Sequence, residues 1–505
     1  MKFRNLAPAL VAGVVTAIAL TGCTAVGSSS AGTTLTIGQT TEPTSYDPSQ
    51  AQEGHYMQYY QAVYDSLIRR SPDGELEPML ASQWEYNQDN TVLTVDLRDD
   101  VTFSDGAAFD ADAAKANLDH FRSGTGPQGS TLAHVSAVDV VDDDTITITL
   151  SEPDPALLIY LSNAAGLMAS PAALGTDEIS TTPVGSGPYT LDKSRTVTGS
   201  QYTFVKRDDY WDSELQHYDT IVIKPIPDVT ARYNALVSGQ VDTAVLDAKT
   251  ADQADAAGLN PAIQQLDWQG ILINDRDGAI VPALADVRVR QAINYAIDKE
   301  AILVGIQNGR GEVTDQVFNP ASTAYDESLE GSYPYDPEKA KALMAEAGYA
   351  DGFSVDFPTI SLFDPALLAV LKEQLAAIGI TINVFEVPIN DFIPELTSGK
   401  YPLTLISLFQ PSTWVNVNQV IAPDALFNLL KSENDTVDKL ISTIQTGDAA
   451  TADTAAKELN AYVVDQAWFA PFFRTDQLLY GNDKVKIVPQ IEQGSPSIYN
   501  YMPVD

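Results

Sequence analysis

Residues 64–121 read YDSLIRRSPDGELEPMLASQWEYNQDNTVLTVDLRDDVTFSDGAAFDADAAKANLDHF, and residue type and spacing determine most of their local structure. Pro72-Asp73-Gly74 and Ser104-Asp105-Gly106 are turns: a proline presets its own φ, and a glycine accepts the reversal that follows. Leu93, Val95 and Leu97 alternate with Thr94, Asp96 and Arg98, which predicts a half-buried strand over 91–98. Asp110 stands where it can cap a helix whose Ala114, Asn117, Leu118 and Phe121 share one face. Turn, strand, turn and helix in this order indicate mixed α/β structure.

The spelling goes further than the periodicity. YDSLIRRSPDGELEPMLASQW, followed by LRDDVTFSDGAAFDADAAKANLD, resembles the signature block of the extracytoplasmic solute-binding proteins of family 5, the peptide-, nickel- and oligosaccharide-binding components of ABC importers. Four later stretches resemble the same family in the same order. They are PVGSGPY (183–189), where Gly185 and Gly187 permit close backbone approach; RYNALVSGQVDTA (232–244); DVRVRQAINYAIDKEAI (286–302); and YDPEKAKALMAEAGY (335–349). In the third, Val289, Ala292, Ile293, Ala296 and Ile297 recur at amphipathic-helix spacing. In the fourth, Asp336 caps, Pro337 takes the first helical position and Gly348 terminates.

Between these landmarks, residues 35–37 predict a strand, 56–68 a helix, and 135–141 with 145–150 a hairpin around Asp142-Asp143-Asp144. Residues 367–378 predict a helix stopped at Gly379 and followed by a strand over 380–387; helix then strand, repeated, argues for α/β layering. The G-x-G-x-x-G of 124–129 is not read as a dinucleotide site, because it follows a helix and Pro127 interrupts the helix it would open.

The chain of 505 residues is long enough for two or three domains, and its 29 Lys and Arg against 68 Asp and Glu give a formal charge of −39. Such acidity excludes nucleic acid as a partner, since phosphate binding needs clustered cations; it reads instead as a well-solvated surface. Hydrophobic residues make up 44%, too many for a disordered acidic chain. Lys2 and Arg4 precede an apolar run over 6–20, too short to span a membrane comfortably, so residues 1–22 read as a signal peptide. Leu20-Thr21-Gly22-Cys23 resembles a bacterial lipobox with Cys23 as the lipid attachment site. Cys23 is the only cysteine, so no disulfide or cysteine-based metal cluster can form. Residues 23–34, small and polar after the cysteine, read as a flexible tether.

Catalytic chemistry is poorly supplied. The four histidines (His55, His120, His134, His217) form no H-E-x-x-H arrangement, there is no P-loop, and Ser186 lacks the G-x-S-x-G elbow. No metal site and no cofactor are expected. A secreted hydrolase using a carboxylate pair stays as the alternative class.

The family resemblance implies a two-lobed periplasmic-binding-protein-like α/β fold of the type II, large-cluster kind, its lobes closing around a solute. By that analogy lobe I takes residues 35–270, with a subdomain at about 70–182; lobe II takes 271–477; and 478–505 returns to lobe I. Residues 268–274 and 472–480 would be hinge strands. The implied role is a monomeric, lipid-anchored receptor on the extracytoplasmic face of the cell membrane. It would deliver a peptide or peptide-like solute, or alternatively an oligosaccharide, to a permease and ATPase.

The resemblance suggests Glu53, Gly54 and His55 as contacts from lobe I, and Ser407, Phe409, Gln410 and Trp414 as contacts from lobe II. Peptide-binding members carry an aspartate for the ligand's α-ammonium in the region matching 399–415. GKYPLTLISLFQPSTWV holds no acid there, which predicts an uncharged or N-blocked ligand unless Glu42 or Glu53 substitutes.

Overall fold

The computed structural model describes residues 33–388 and 391–504; the signal segment, Cys23 and most of the tether lie outside them. A mixed sheet of nine strands forms the centre. Numbered in chain order these are β1 (Thr34–Gln39), β2 (Tyr189–Leu191), β3 (Tyr202–Lys206), β4 (Thr220–Pro225), β5 (Thr243–Leu246), β6 (Asn260–Ile273), β7 (Gly311–Val313), β8 (Leu403–Phe409) and β9 (Phe469–Gly481). Their order is β8-β6-β9-β5-β1-β4-β3-β2, with β7 on β9. β1 runs parallel to β4 and β5, while β6 lies between β8 and β9 and is antiparallel to both.

Two large hydrophobic cores flank the middle of this sheet. One gathers residues between Leu35 and Ala262 with Leu479, Val485, Ile498 and Tyr501. The other runs from Trp268 to Phe473, with Ala156 as the single residue from the earlier chain. β6 and β9 pass from one core to the other side by side. Ala262 opposite Leu479 lies in the first, and Leu272 opposite Phe469 in the second. A register shift between Gln265 and Asp267 and another between Gln269 and Gly270 fall at the crossing.

Residues 64–121 fold as their types and spacing require. Gly74 and Gly106 both have φ of 87°. Residues Val92–Leu97 form a strand in a four-stranded antiparallel sheet whose hairpin partners are Thr145–Leu150 and Val135–Asp142. Asp110 Oδ1 accepts from Ala113 N at 2.8 Å at the start of the helix Ala111–Ser123. Asp336 caps Pro337–Glu346 in the same way, and Pro365–Ala376 joins the parallel strands Phe353–Thr359 and Ile380–Glu386.

One expectation is corrected. The helix read over 56–68 is only Met57–Gln61, entered through a 3-10 turn at Gly54–Tyr56. Tertiary bonds take the carbonyls that would extend it: Ala62 O accepts from Tyr189 N at 2.8 Å and Val63 O from Gly187 N at 3.1 Å. The hydroxyls of the buried Tyr59, Tyr60 and Tyr64 donate to the carbonyls of Thr41, Ser45 and Tyr46 and pin the segment. The amphipathic spacing from Val289 falls on the helix Val287–Ala296, whose Val289, Ala292, Ile293 and Ala296 are buried, and Asp298 then caps a second helix, Lys299–Gln307, through Ala301 N at 3.0 Å.

Candidate functional site

Where β6 and β9 cross, a cavity of about 270 Å³ lies between the two cores. Its walls come from six separate pieces of chain: Glu53, Gly54 and His55; Arg70; Ile159, Tyr160 and Asn163; Leu266 and Asp267; Phe409, Pro411, Ser412 and Val415; and Glu492, Gln493 and Gly494. A larger depression of about 860 Å³ between the helices Asp435–Thr446 and Ala449–Asp465 is lined by the second core's side alone. Its lining comes from those two helices only, so it offers no contact from the first core.

Local structure explains how each piece reaches the cavity. Gly54, at φ of 68°, turns the chain so tightly against Gly494 that a Cβ on Gly494 would come within 3.0 Å of Gly54 Cα. This contact joins the loop of Glu53 to the C-terminal segment, where His55 Nδ1 meets Ser495 Oγ at 3.0 Å. The bulge in β6 at Gln265–Asp267 places Asp267 opposite Phe409 of β8; an extra residue re-aims side chains in this way beside many sites. Gln410 N closes the corner by donating to Leu266 O at 3.0 Å.

One face of the cavity is an ion pair. Arg70, at the end of the strand Ile68–Arg70, binds the Glu492 carboxylate through Nη2, and both side chains are under 10% exposed. Glu492 sits in the left-handed region at φ of 53°, unusual for a residue with a Cβ, and its other oxygen accepts from Asn319 Nδ2 at 3.1 Å. Asn319 also donates to the carbonyls of Gln410 and Pro411 at 2.9 and 3.1 Å, so this cluster ties the C-terminal segment to both sides of the cleft.

The other face is acidic and unpaired. Burial pushes the Asp267 carboxyl up to about 6, and no described residue donates to it. Burial also raises Glu53, against the opposing influence of Ala164 N–H at 3.4 Å and of the Arg70 charge. His55 is pushed down, first by burial and then by the Arg232 charge, so at neutral pH it is uncharged. Ile159, Tyr160, Leu266, Phe409 and Val415 supply the apolar remainder.

The structure brings Glu53, Gly54, His55 and Phe409 to the same cavity. Gln410 faces an adjoining cavity of about 450 Å³ that shares Glu492 with the first, and its Nε2 donates to Val317 O at 2.9 Å. Ser407 is exposed on β8 away from both, and Trp414 is buried in the second core. The segment 399–415 does lack an acid, while Glu53, one of the two substitutes the sequence offers, and Asp267 of the neighbouring strand both line this cavity. Arg70, Asp267 and Glu492 escaped the sequence reading. The one available signal was Asp267, a lone acid beside Trp268 in an otherwise neutral strand.

Comparison with known proteins places this geometry. Residues 75–419 match the model described as bacterial extracellular solute-binding proteins, family 5 Middle. The chain is 31% identical over 398 residues to "Heme-binding protein A" of Haemophilus influenzae, covering 71% of each chain. It is 29% identical over 478 residues to "Glutathione-binding protein GsiB" of Pectobacterium atrosepticum, covering 87% of this chain and 88% of that one. Among solved structures, HbpA2 from Haemophilus parasuis superposes with a TM-score of 0.83 at 21% identity, covering 94% of this chain and all of the other. The mixed α/β fold is thus that of the two-lobed periplasmic binding proteins, the relatives are named as binding proteins rather than enzymes, and with the match spanning most of its length the chain belongs to the bacterial extracellular solute-binding proteins of family 5.

Proposed function

We propose that the chain is the lipid-anchored receptor of an ABC importer, capturing a small peptide or peptide-like solute between its lobes and presenting the closed form to a permease. The observation that carries this reading is the cavity at the strand crossing, with one wall from each core and a single pair of continuous strands, β6 and β9, running between them. A ligand that touches both walls favours the closed arrangement by its differential contacts. A volume of about 270 Å³ suits a solute of dipeptide size better than an oligosaccharide. That one relative carries the name of glutathione, itself a peptide, agrees with this class.

Two measurements test the proposal. The solute recovered from purified protein by denaturation, once identified and returned in saturating amount, is expected to make the particle more compact in small-angle scattering. An unchanged profile would mean that the cleft is rigid and that closure is not the signal. Anchoring rests on the order of cationic residues, apolar run and Leu20-Thr21-Gly22-Cys23 in the sequence. Cys23→Ala is expected to leave the precursor unprocessed or the protein released from membranes; full processing with undiminished membrane retention would rule out the thiol as the anchor.

A further inference from the structure

We propose that this cleft selects a small solute of net positive charge, whose ammonium or guanidinium group is taken by Asp267 with Glu53 and whose apolar body lies against Tyr160 and Phe409. The inference rests on the receptor reading and narrows it to a class of ligand.

Charge balance in the cavity is the first support. Three carboxylates, Glu53, Asp267 and Glu492, face one guanidinium, Arg70, and His55 is held neutral by its burial. Arg70 binds Glu492 and its charge also reaches Glu53, so one cation is shared among the three carboxylates and Asp267 has no cationic partner of its own among the described residues. The second support is their hydrogen bonding. The Asp267 carboxylate accepts from no described residue, and that of Glu53 only from Ala164 N at 3.4 Å, although both residues are half-buried and carboxylates withdrawn from water ordinarily find donors. An ammonium or guanidinium would supply both donors and charge, and such charge-assisted bonds are the strong ones.

The third support concerns what the cavity lacks. Among the described residues Arg70 is the one cation on the cavity wall and is already outnumbered by three carboxylates, so a ligand carboxylate would find no surplus positive charge there, and burying an unpaired carboxylate is costly. A zwitterionic amino acid or free dipeptide would leave its acidic end unmatched, and an anionic peptide would meet like charge. Amines, guanidines and peptides with a blocked C-terminus satisfy the site.

Calorimetry on the full chain with L-phenylalanyl-L-alanine amide, the free dipeptide L-phenylalanyl-L-alanine, and glutathione would test this. The amide is expected to bind at least about tenfold more tightly than the free dipeptide, and glutathione more weakly still. Asp267→Asn should weaken the amide by about 10- to 100-fold, the worth of one charge-assisted bond, with thermal unfolding confirming that the variant is folded. Should Asp267→Asn fail to fold, Glu53→Gln, expected to act in the same direction, serves in its place. Binding of the free dipeptide or glutathione as tight as that of the amide, or an unchanged affinity in the folded variant, overturns the proposal while leaving the receptor reading intact. Where no probe binds, the charge of the solute released on denaturation decides: a cation supports the proposal, and a neutral or anionic molecule overturns it. If nothing is released either, the receptor reading falls with it.

Discussion

Replacing Gly187 with alanine is expected to cost about 3 kcal/mol of folding stability, the upper end of what overpacking a core ordinarily costs. The reason is space rather than dihedral angle. An added Cβ would stand 2.4 Å from both Tyr64 N and Val63 C, and these are backbone atoms that no rotamer change can move aside. The same backbone is held in place from both sides, by Gly187 N donating to Val63 O at 3.1 Å and Tyr189 N donating to Ala62 O at 2.8 Å. Gly185 is equally confined, its virtual Cβ 2.2 Å from Tyr64 Cδ1 and from Val63 O. Gly106 gives the contrast: its φ is 87° with nothing within 4 Å of a virtual Cβ, so Gly106→Ala should cost only the left-handed penalty of about 1–2 kcal/mol. Urea denaturation of the three proteins orders them. A Gly187→Ala loss no larger than that of Gly106→Ala would show that the Val63–Tyr64 backbone yields.

Those glycines mark how far the chain could be read without its structure. Wherever a residue's role was decided within a few positions, as at Gly74, Gly106, Asp110 or Asp336, the sequence was sufficient, because φ preference and capping are local properties. The helix expected over 56–68 failed for the opposite reason. Nothing near Val63 reveals that a loop more than a hundred residues later will take its carbonyl. The cavity is the extreme of this dependence. Glu53, Gly54, His55 and Phe409 were found by likeness to a family. Asp267 owes its place to a bulge between two strands that pair across some two hundred residues. Glu492 lies in a C-terminal stretch with no periodicity, and its left-handed backbone carries no glycine or asparagine to announce it. A ligand class drawn from the acids of one segment was therefore bound to be incomplete, since the strand beside it contributes to the same wall.

Glu492→Gln is expected to be the most damaging change to a cleft residue, lowering stability by about 3–5 kcal/mol, because removing one partner of a buried ion pair leaves the other charge unpaired. The Arg70 side chain is 5% exposed, and its Nε already lacks an acceptor, so the Glu492 carboxylate is what makes its burial tolerable. Converting both members, Arg70→Met with Glu492→Gln, removes the stranded charge while keeping an unbranched stem to fill the space. It should recover much of the loss, because no uncompensated charge is then left buried. A double-mutant cycle by urea denaturation would measure the coupling directly; additive losses would mean that the two side chains do not depend on each other. The single variant also alters what the cleft can hold. With Glu492 neutral, the Arg70 guanidinium becomes the free cation that the wild-type cavity lacks, so L-phenylalanyl-L-alanine should gain affinity relative to its amide. An unchanged preference between the two would show that the pair is structural and takes no part in selecting the solute. A reversed one would identify Glu492 as the group that keeps a ligand's carboxylate out.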